Sequence, residues 1–143
     1  MFYDKKQNST MAPADQCKPK MIDLLEKYLD VNTKMGYLIF QVYEDSPVYG
    51  SLPVTNARIS LCKCLGDEFY VCIVLTTDMN GKTEPIPVPT VNGELFQSPE
   101  NGIANAEYDI CIDAPGFERY EKFRIPVYEG ITSIQNAVLS PVI

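Results

Sequence analysis

From Gly36 onward, apolar and polar residues alternate with a period of two. Leu38, Phe40 and Val42 interleave with Ile39, Gln41 and Tyr43; Ala57, Ile59 and Leu61 interleave with Arg58, Ser60 and Cys62. Tyr108, Ile110 and Ile112 do the same with Asp109, Cys111 and Asp113. Successive side chains of a strand point to opposite faces, so each run predicts a half-buried β-strand. Residues 69–77 form a more continuous β-rich run, and Phe123, Ile125 and Val127, then Ile131, Ile134 and Val138, complete the series. Turn signals separate the runs: Pro47 and Pro53, Gly66-Asp67, Asn80-Gly81, Asn92-Gly93, Pro115-Gly116 and Glu129-Gly130. About seven short strands at this spacing predict an all-β fold, an antiparallel Ig-like sandwich.

The chain before Gly36 has a different pattern. Ile22, Leu25, Tyr28 and Leu29 recur at helical spacing with Asp23, Glu26, Lys27 and Asp30 between them, which predicts a short amphipathic helix ending near Asn32. Residues 1–20 are polar, contain two prolines, and carry only Phe2 and Tyr3 as bulky apolar groups. They read as an extended or disordered arm. The expected organisation is therefore an arm over 1–20, a helix and linker over 21–35, and the sandwich over 36–143.

Composition narrows the chemistry. The 143 residues include no histidine and no tryptophan, 12 basic and 19 acidic side chains (net −7), and five cysteines. Without histidine there is no Ser–His or Cys–His nucleophile pair and no imidazole ligand. The acidic balance argues against nucleic-acid binding, which needs a cationic face. Neither an apolar signal segment nor a run near the ~20 residues of a membrane span is present, so export by signal and membrane insertion are not expected. Five cysteines suit an oxidising setting, and synthesis inside a cell followed by later exposure reconciles the two.

Several pieces read together resemble a known family. Gly36-Tyr37-Leu38 opens the first strand and Pro53-Val54-Thr55-Asn56-Ala57-Arg58-Ile59 the second. Thr77-Asp78-Met79-Asn80-Gly81-Lys82-Thr83, Tyr108-Asp109-Ile110 and Ala114-Pro115-Gly116-Phe117 follow. This order resembles the carboxypeptidase regulatory-like, or transthyretin-like, β-sandwich domain, in the version found in spore-forming bacteria. The resemblance covers roughly residues 36–139. It implies a transthyretin-like sandwich without an active site, a type of domain that stabilises neighbours, binds surfaces or forms repeating structural units. No cofactor is implied.

The cysteines are Cys17, Cys62, Cys64, Cys72 and Cys111. If Ala57, Ile59 and Leu61 face the core, Cys62 and Cys64 point outward, and Cys111 does so between Asp109 and Asp113. The direction of Cys72 is open. Three readings stand side by side: inert core thiols, a tetrathiolate zinc site from Cys62, Cys64, Cys72 and Cys111, or disulfides. The CxC spacing matches a zinc knuckle poorly. An odd cysteine count favours at least one bond between chains. Cys17 stands out because a flexible arm gives it no core position; an extended chain from Cys17 to Gly36 reaches about 60 Å. Asp78-x-Asn80-Gly81 resembles the start of a calcium loop but lacks the downstream glutamate spacing, and a hairpin turn accounts for it.

These observations predict a non-enzymatic structural subunit, a homo-oligomer assembling into an open filament or surface layer. Phe2 and Tyr3 of the arm would fill pockets on a neighbour's sheet, and inter-subunit disulfides among Cys17, Cys62, Cys64, Cys72 and Cys111 would lock the joint. A pilus-like appendage on the cell or spore surface, with a separate anchoring protein, is one setting; the cytoplasm is the other. The alternative is a monomeric cell-wall or partner-binding accessory module, and a third reading is a thiol- or zinc-dependent regulator.

Overall fold

Phe40 and Leu38 are completely buried at the centre of two facing sheets, the outcome their alternation requires. The computed structural model describes residues 2–4, 14–66, 69–92 and 105–142. Its elements are β1 (Phe2–Asp4), α1 (Ala14–Val31), β2 (Lys34–Ser46), β3 (Gly50–Pro53), β4 (Arg58–Leu65), β5 (Phe69–Thr76), β6 (Ile86–Thr90), β7 (Ala106–Asp113), β8 (Tyr120–Val127) and β9 (Thr132–Val138). One sheet has the order β1-β5-β4-β7-β8. The other is built around β2, with β3 and β6 along one edge and β9 along the opposite edge. Strands β2 to β9 make an all-β sandwich with a helix before it, as expected, and β1 extends the first sheet.

The core lies where period two places it. Leu38, Phe40 and Val42 of β2 face Ile59 and Leu61 of β4, Tyr108, Ile110 and Ile112 of β7, and Ile125 and Val127 of β8. Two buried threonines satisfy backbone groups at the margins of this core. Thr77 Oγ1 donates to the Val54 carbonyl at 2.6 Å and accepts from the Ala57 amide at 2.9 Å. Thr90 Oγ1 donates to the Val127 carbonyl at 2.6 Å and accepts from the Ala106 amide at 3.0 Å. Gly36 is required by close approach, since a Cβ there would strike the Tyr128 carbonyl and a Val127 methyl.

Three features depart from the sequence reading. First, β9 pairs with β2 in parallel, from Tyr37↔Thr132 to Tyr43↔Val138; alternation is identical in both strand directions, so periodicity carries no information about polarity. Second, the inward residues of this last segment are Ala137 and Leu139, while Ile131, Ile134 and Val138 are exposed. Third, α1 begins at Ala14, seven residues before the expected start at 21. Pro19, which has no N–H for the helix ladder, and its lysine neighbours hide this extension. The arm expected over 1–20 is thus partly helical.

The remainder of the expected arm, residues 5–13, and the second residues of the Gly66-Asp67 and Asn92-Gly93 turns lie outside the described set. So do the side chains of Phe2, Tyr3 and Cys17. The Asn80-Gly81 turn is described: the Asp78 carboxylate accepts from the amides of Asn80 (2.8 Å) and Lys82 (3.0 Å). An Asx-type turn therefore occupies the segment that resembles a calcium loop.

Candidate functional site

Two regions gather the residues that the sequence singles out: the outer face of the first sheet and the edge of β5. On the outer face, Ser60, Cys62 and Cys64 of β4 are partly exposed while Ile59 and Leu61 are buried, so the predicted orientation holds. Cys111 likewise points outward between two buried isoleucines.

The register of β4 against β5 pairs Cys62 with Cys72, and the two form a disulfide within the chain, their Cα atoms 4.1 Å apart. That fixes the open question of Cys72, which shares the outer face. It also corrects the expectation for this pair: two sulfurs bonded to each other supply neither inter-subunit bonds nor zinc ligands. The tetrathiolate set loses half its donors, and among the described residues no group of three or more metal-ligating side chains comes together.

Cys64 and Cys111 are unbonded and half-buried. The Cys64 thiol lies 3.6 Å from the Gly66 carbonyl. The Cys111 thiol points at Asp113 Oδ2 at 3.7 Å, and Asp113 is held by a two-pronged ion pair with Arg119, Nε to Oδ1 at 2.8 Å and Nη2 to Oδ2 at 3.1 Å. The Arg119 hydrogen bond pulls the Asp113 carboxyl below its usual value. Burial pushes the Cys111 thiol up, and the Asp113 charge adds to the rise. Cys111 is therefore a thiol rather than a thiolate near neutrality, and a slow nucleophile. It lies diagonally from Cys62, since Ser60 opposes Cys111 and Asp109 opposes Cys62. Both line an open groove of about 340 Å³ with Tyr70, Arg119 and Phe123.

At the β5 edge, β1 adds as an antiparallel strand, with Phe2↔Val71, Tyr3↔Tyr70 and Asp4↔Phe69. The strand addition expected toward a neighbour is made here within the same chain. Cys17 sits on α1 rather than on an extended arm. At 1.5 Å per residue, the helix from Cys17 to Val31 spans about 20 Å, so its reach is shorter than an extended segment allows.

The sequence reading missed a third cluster, beneath α1. Lys63 lies in the inward register of Leu61 and Leu65, and its Nζ donates to the Glu107 carbonyl at 2.9 Å. The same ammonium is 5.7 Å from the ring centres of both Tyr28 and Tyr108. Tyr108 donates its hydroxyl to the Pro89 carbonyl, so Tyr28 is the donor in the 2.6 Å hydroxyl pair. Burial raises both phenols and keeps them neutral. This cluster clamps α1 onto the sheet beside a small apolar cavity of about 100 Å³. The available signal was a lysine at an inward strand position, which must find partners.

No helix among the described residues is long and apolar enough to cross a membrane. Comparison with protein-family models and with curated protein sequences finds no match.

Proposed function

We propose that this chain is a non-enzymatic structural subunit that self-assembles into a fibre or surface layer. The observation that carries the reading is strand addition by the N-terminal segment: β1 covers the edge of β5 at Phe69–Val71. A segment that adds to its own sheet edge makes the same backbone hydrogen bonds when it adds to the identical edge of a neighbour, so exchange between copies links them. Cys17, Cys64 and Cys111 are the cysteines left for covalent fastening between chains. A spore-surface appendage is the setting we propose, on the resemblance of the motifs in residues 36–139 to the carboxypeptidase regulatory-like domain of spore-forming bacteria.

Electron microscopy and non-reducing electrophoresis of the purified, oxidised protein test this reading. Filaments with a ladder of covalent oligomers are expected, with the ladder diminished in Cys17→Ser. A monomer that persists after oxidation contradicts it. One observation favours a second reading, a monomeric accessory module that binds a cell-wall polymer or a partner. Phe123, 62% exposed, stands with Tyr70 and Arg119 along the outer groove, an arrangement suited to stacking on a ligand.

A further inference from the structure

The sheet edges differ in how they are protected. β8, at one end of the first sheet, carries Glu121, Lys122 and Arg124. Its ladder to β7 slips between Tyr108 and Ile110, Arg124 adopts φ 60°, and the Arg124 amide donates to the Asp109 carboxylate. Charge and a bulge blunt an edge against pairing. The β3/β6 edge is short-stranded and holds Pro53, Pro87 and Pro89, which blunt it too. Two edges lack such devices. Ile73–Thr76 of β5, beyond the stretch that β1 covers, has no charge or proline, and among the described residues no strand pairs with it on the side away from β4. β9 is also free of charge and proline, and its described ladder is the one with β2.

Backbone direction shows what these edges offer. The 4.1 Å spacing of the Cys62 and Cys72 Cα atoms marks a close, non-hydrogen-bonded pair of an antiparallel ladder. Val74, opposite Ser60, is the next pair of that kind, so its N–H and C=O point away from β4. In β9, the Ile131 carbonyl accepts from Tyr37 and the Leu139 amide donates to Tyr43. The odd-numbered residues thus face β2, and Ile134 and Asn136 turn their backbone groups outward. The two edges lie on opposite flanks: β5 is remote from β8 in its sheet, whereas Gln135 of β9 accepts a hydrogen bond from Lys122 of β8 at 3.3 Å.

We propose that Ile73–Thr76 of one copy pairs with β9 of the next, a head-to-tail strand joint that repeats along a filament. This rests on the self-assembly reading above and names the surfaces that meet. A second copy is the occupant for three reasons. Every chain carries both edges. Both are uncharged, so the joint brings no like charges into register although each chain carries −7. And the site continues the stretch of β5 where the fold already accepts a strand, so β1 and the neighbour's β9 lie end to end along it. A joint between opposite flanks is heterologous, and it gives an open assembly where the rotation from copy to copy does not close into a ring.

Val74→Pro and Ile134→Pro each remove one outward N–H while sparing the ladders to β4 and β2. The full chain, its two variants and their equimolar mixture are compared by sedimentation velocity over a concentration series. Each variant alone is expected to need at least tenfold higher concentration than wild type to assemble. The mixture is expected to form dimers where neither variant associates, because Val74→Pro retains an intact β9 and Ile134→Pro an intact β5. Assembly of both variants within threefold of wild type overturns the joint. So does loss in Val74→Pro with Ile134→Pro unaffected, which is a symmetric β5–β5 contact. If circular dichroism shows a proline variant unfolded, Val74→Lys or Ile134→Lys replaces it under the same criteria. A wild type that stays monomeric throughout overturns the self-assembly reading itself, rather than the choice of edges.

Discussion

Tyr28 and Tyr108 share a 2.6 Å hydrogen bond between their hydroxyls, joining residues 80 positions apart and fixing the helix to the inner face of the first sheet. Tyr108→Phe leaves the Pro89 carbonyl and the Tyr28 hydroxyl without this partner, at a cost of about 1–3 kcal/mol. Tyr28→Phe removes only a donor to Tyr108, and a smaller loss of about 0.5–1.5 kcal/mol is expected. Urea denaturation of the three proteins checks the order; equal stability of all three would show that the clamp contributes nothing.

The same pair sets an alkaline limit. Both phenols ionise at higher pH in the fold than in the unfolded chain, whose ordinary value is 10.0. Below pH 10 the native and unfolded states bind the same tyrosine protons and this contribution is fully present. Above it the unfolded state loses protons first, so stability falls as pH rises. The Tm of wild type measured from pH 9 to 12 should decline more steeply than that of the Tyr28→Phe/Tyr108→Phe double variant.

The Cys62–Cys72 bond closes a loop of sequence separation 10. Chain-entropy arguments give about 2–3 kcal/mol for a loop this short, or a Tm lower by about 5–10 °C in a chain of this size. The Cys62→Ser/Cys72→Ser double variant, compared with oxidised wild type by calorimetry, should show that decrease. A double variant as stable as wild type would mean that the strand ladder alone holds this hairpin.

Cys111 should react slowly with iodoacetamide at pH 7 and faster as pH rises, because burial and the Asp113 charge favour its protonated form. Asp113→Asn removes a negative charge and releases Arg119 from its pair, and both changes favour the thiolate. Peptide mapping of alkylation at pH 8 should show faster labelling of Cys111 in the variant. Unchanged labelling would indicate that access to the groove, not charge, limits reaction.

Gly36→Ala should destabilise by about 1–3 kcal/mol, since the new methyl must displace the Tyr128 backbone. A thermal melt of this variant tests whether the packing of β2 against the β8–β9 connection is as tight as the geometry shows.

Strand faces were legible from the residues because burial enforces alternation; Leu38, Phe40, Val42, Ile59 and Leu61 all point inward. The outward cysteines followed from the same rule. Pairing was less legible, since it depends on register. A β4–β5 hairpin centred on residue 67 does place Cys62 opposite Cys72, so the turn at Gly66-Asp67 held the signal. The parallel direction of β9 had no local trace. The early start of α1 was masked by Pro19, and Lys63 was overlooked because its partners, Tyr28 and Tyr108, are 35 residues upstream and 45 downstream.

The most direct test of self-assembly through the N-terminal segment uses mixed isotopes. Light and heavy-labelled protein are combined before oxidation and assembly, then amine cross-linked and digested. Arm exchange predicts abundant links between Lys5 or Lys6 of one label and body peptides of the other, lost when residues 1–10 are deleted. Assemblies in which every arm link joins peptides of the same label would contradict it, as would assembly that survives the deletion undiminished.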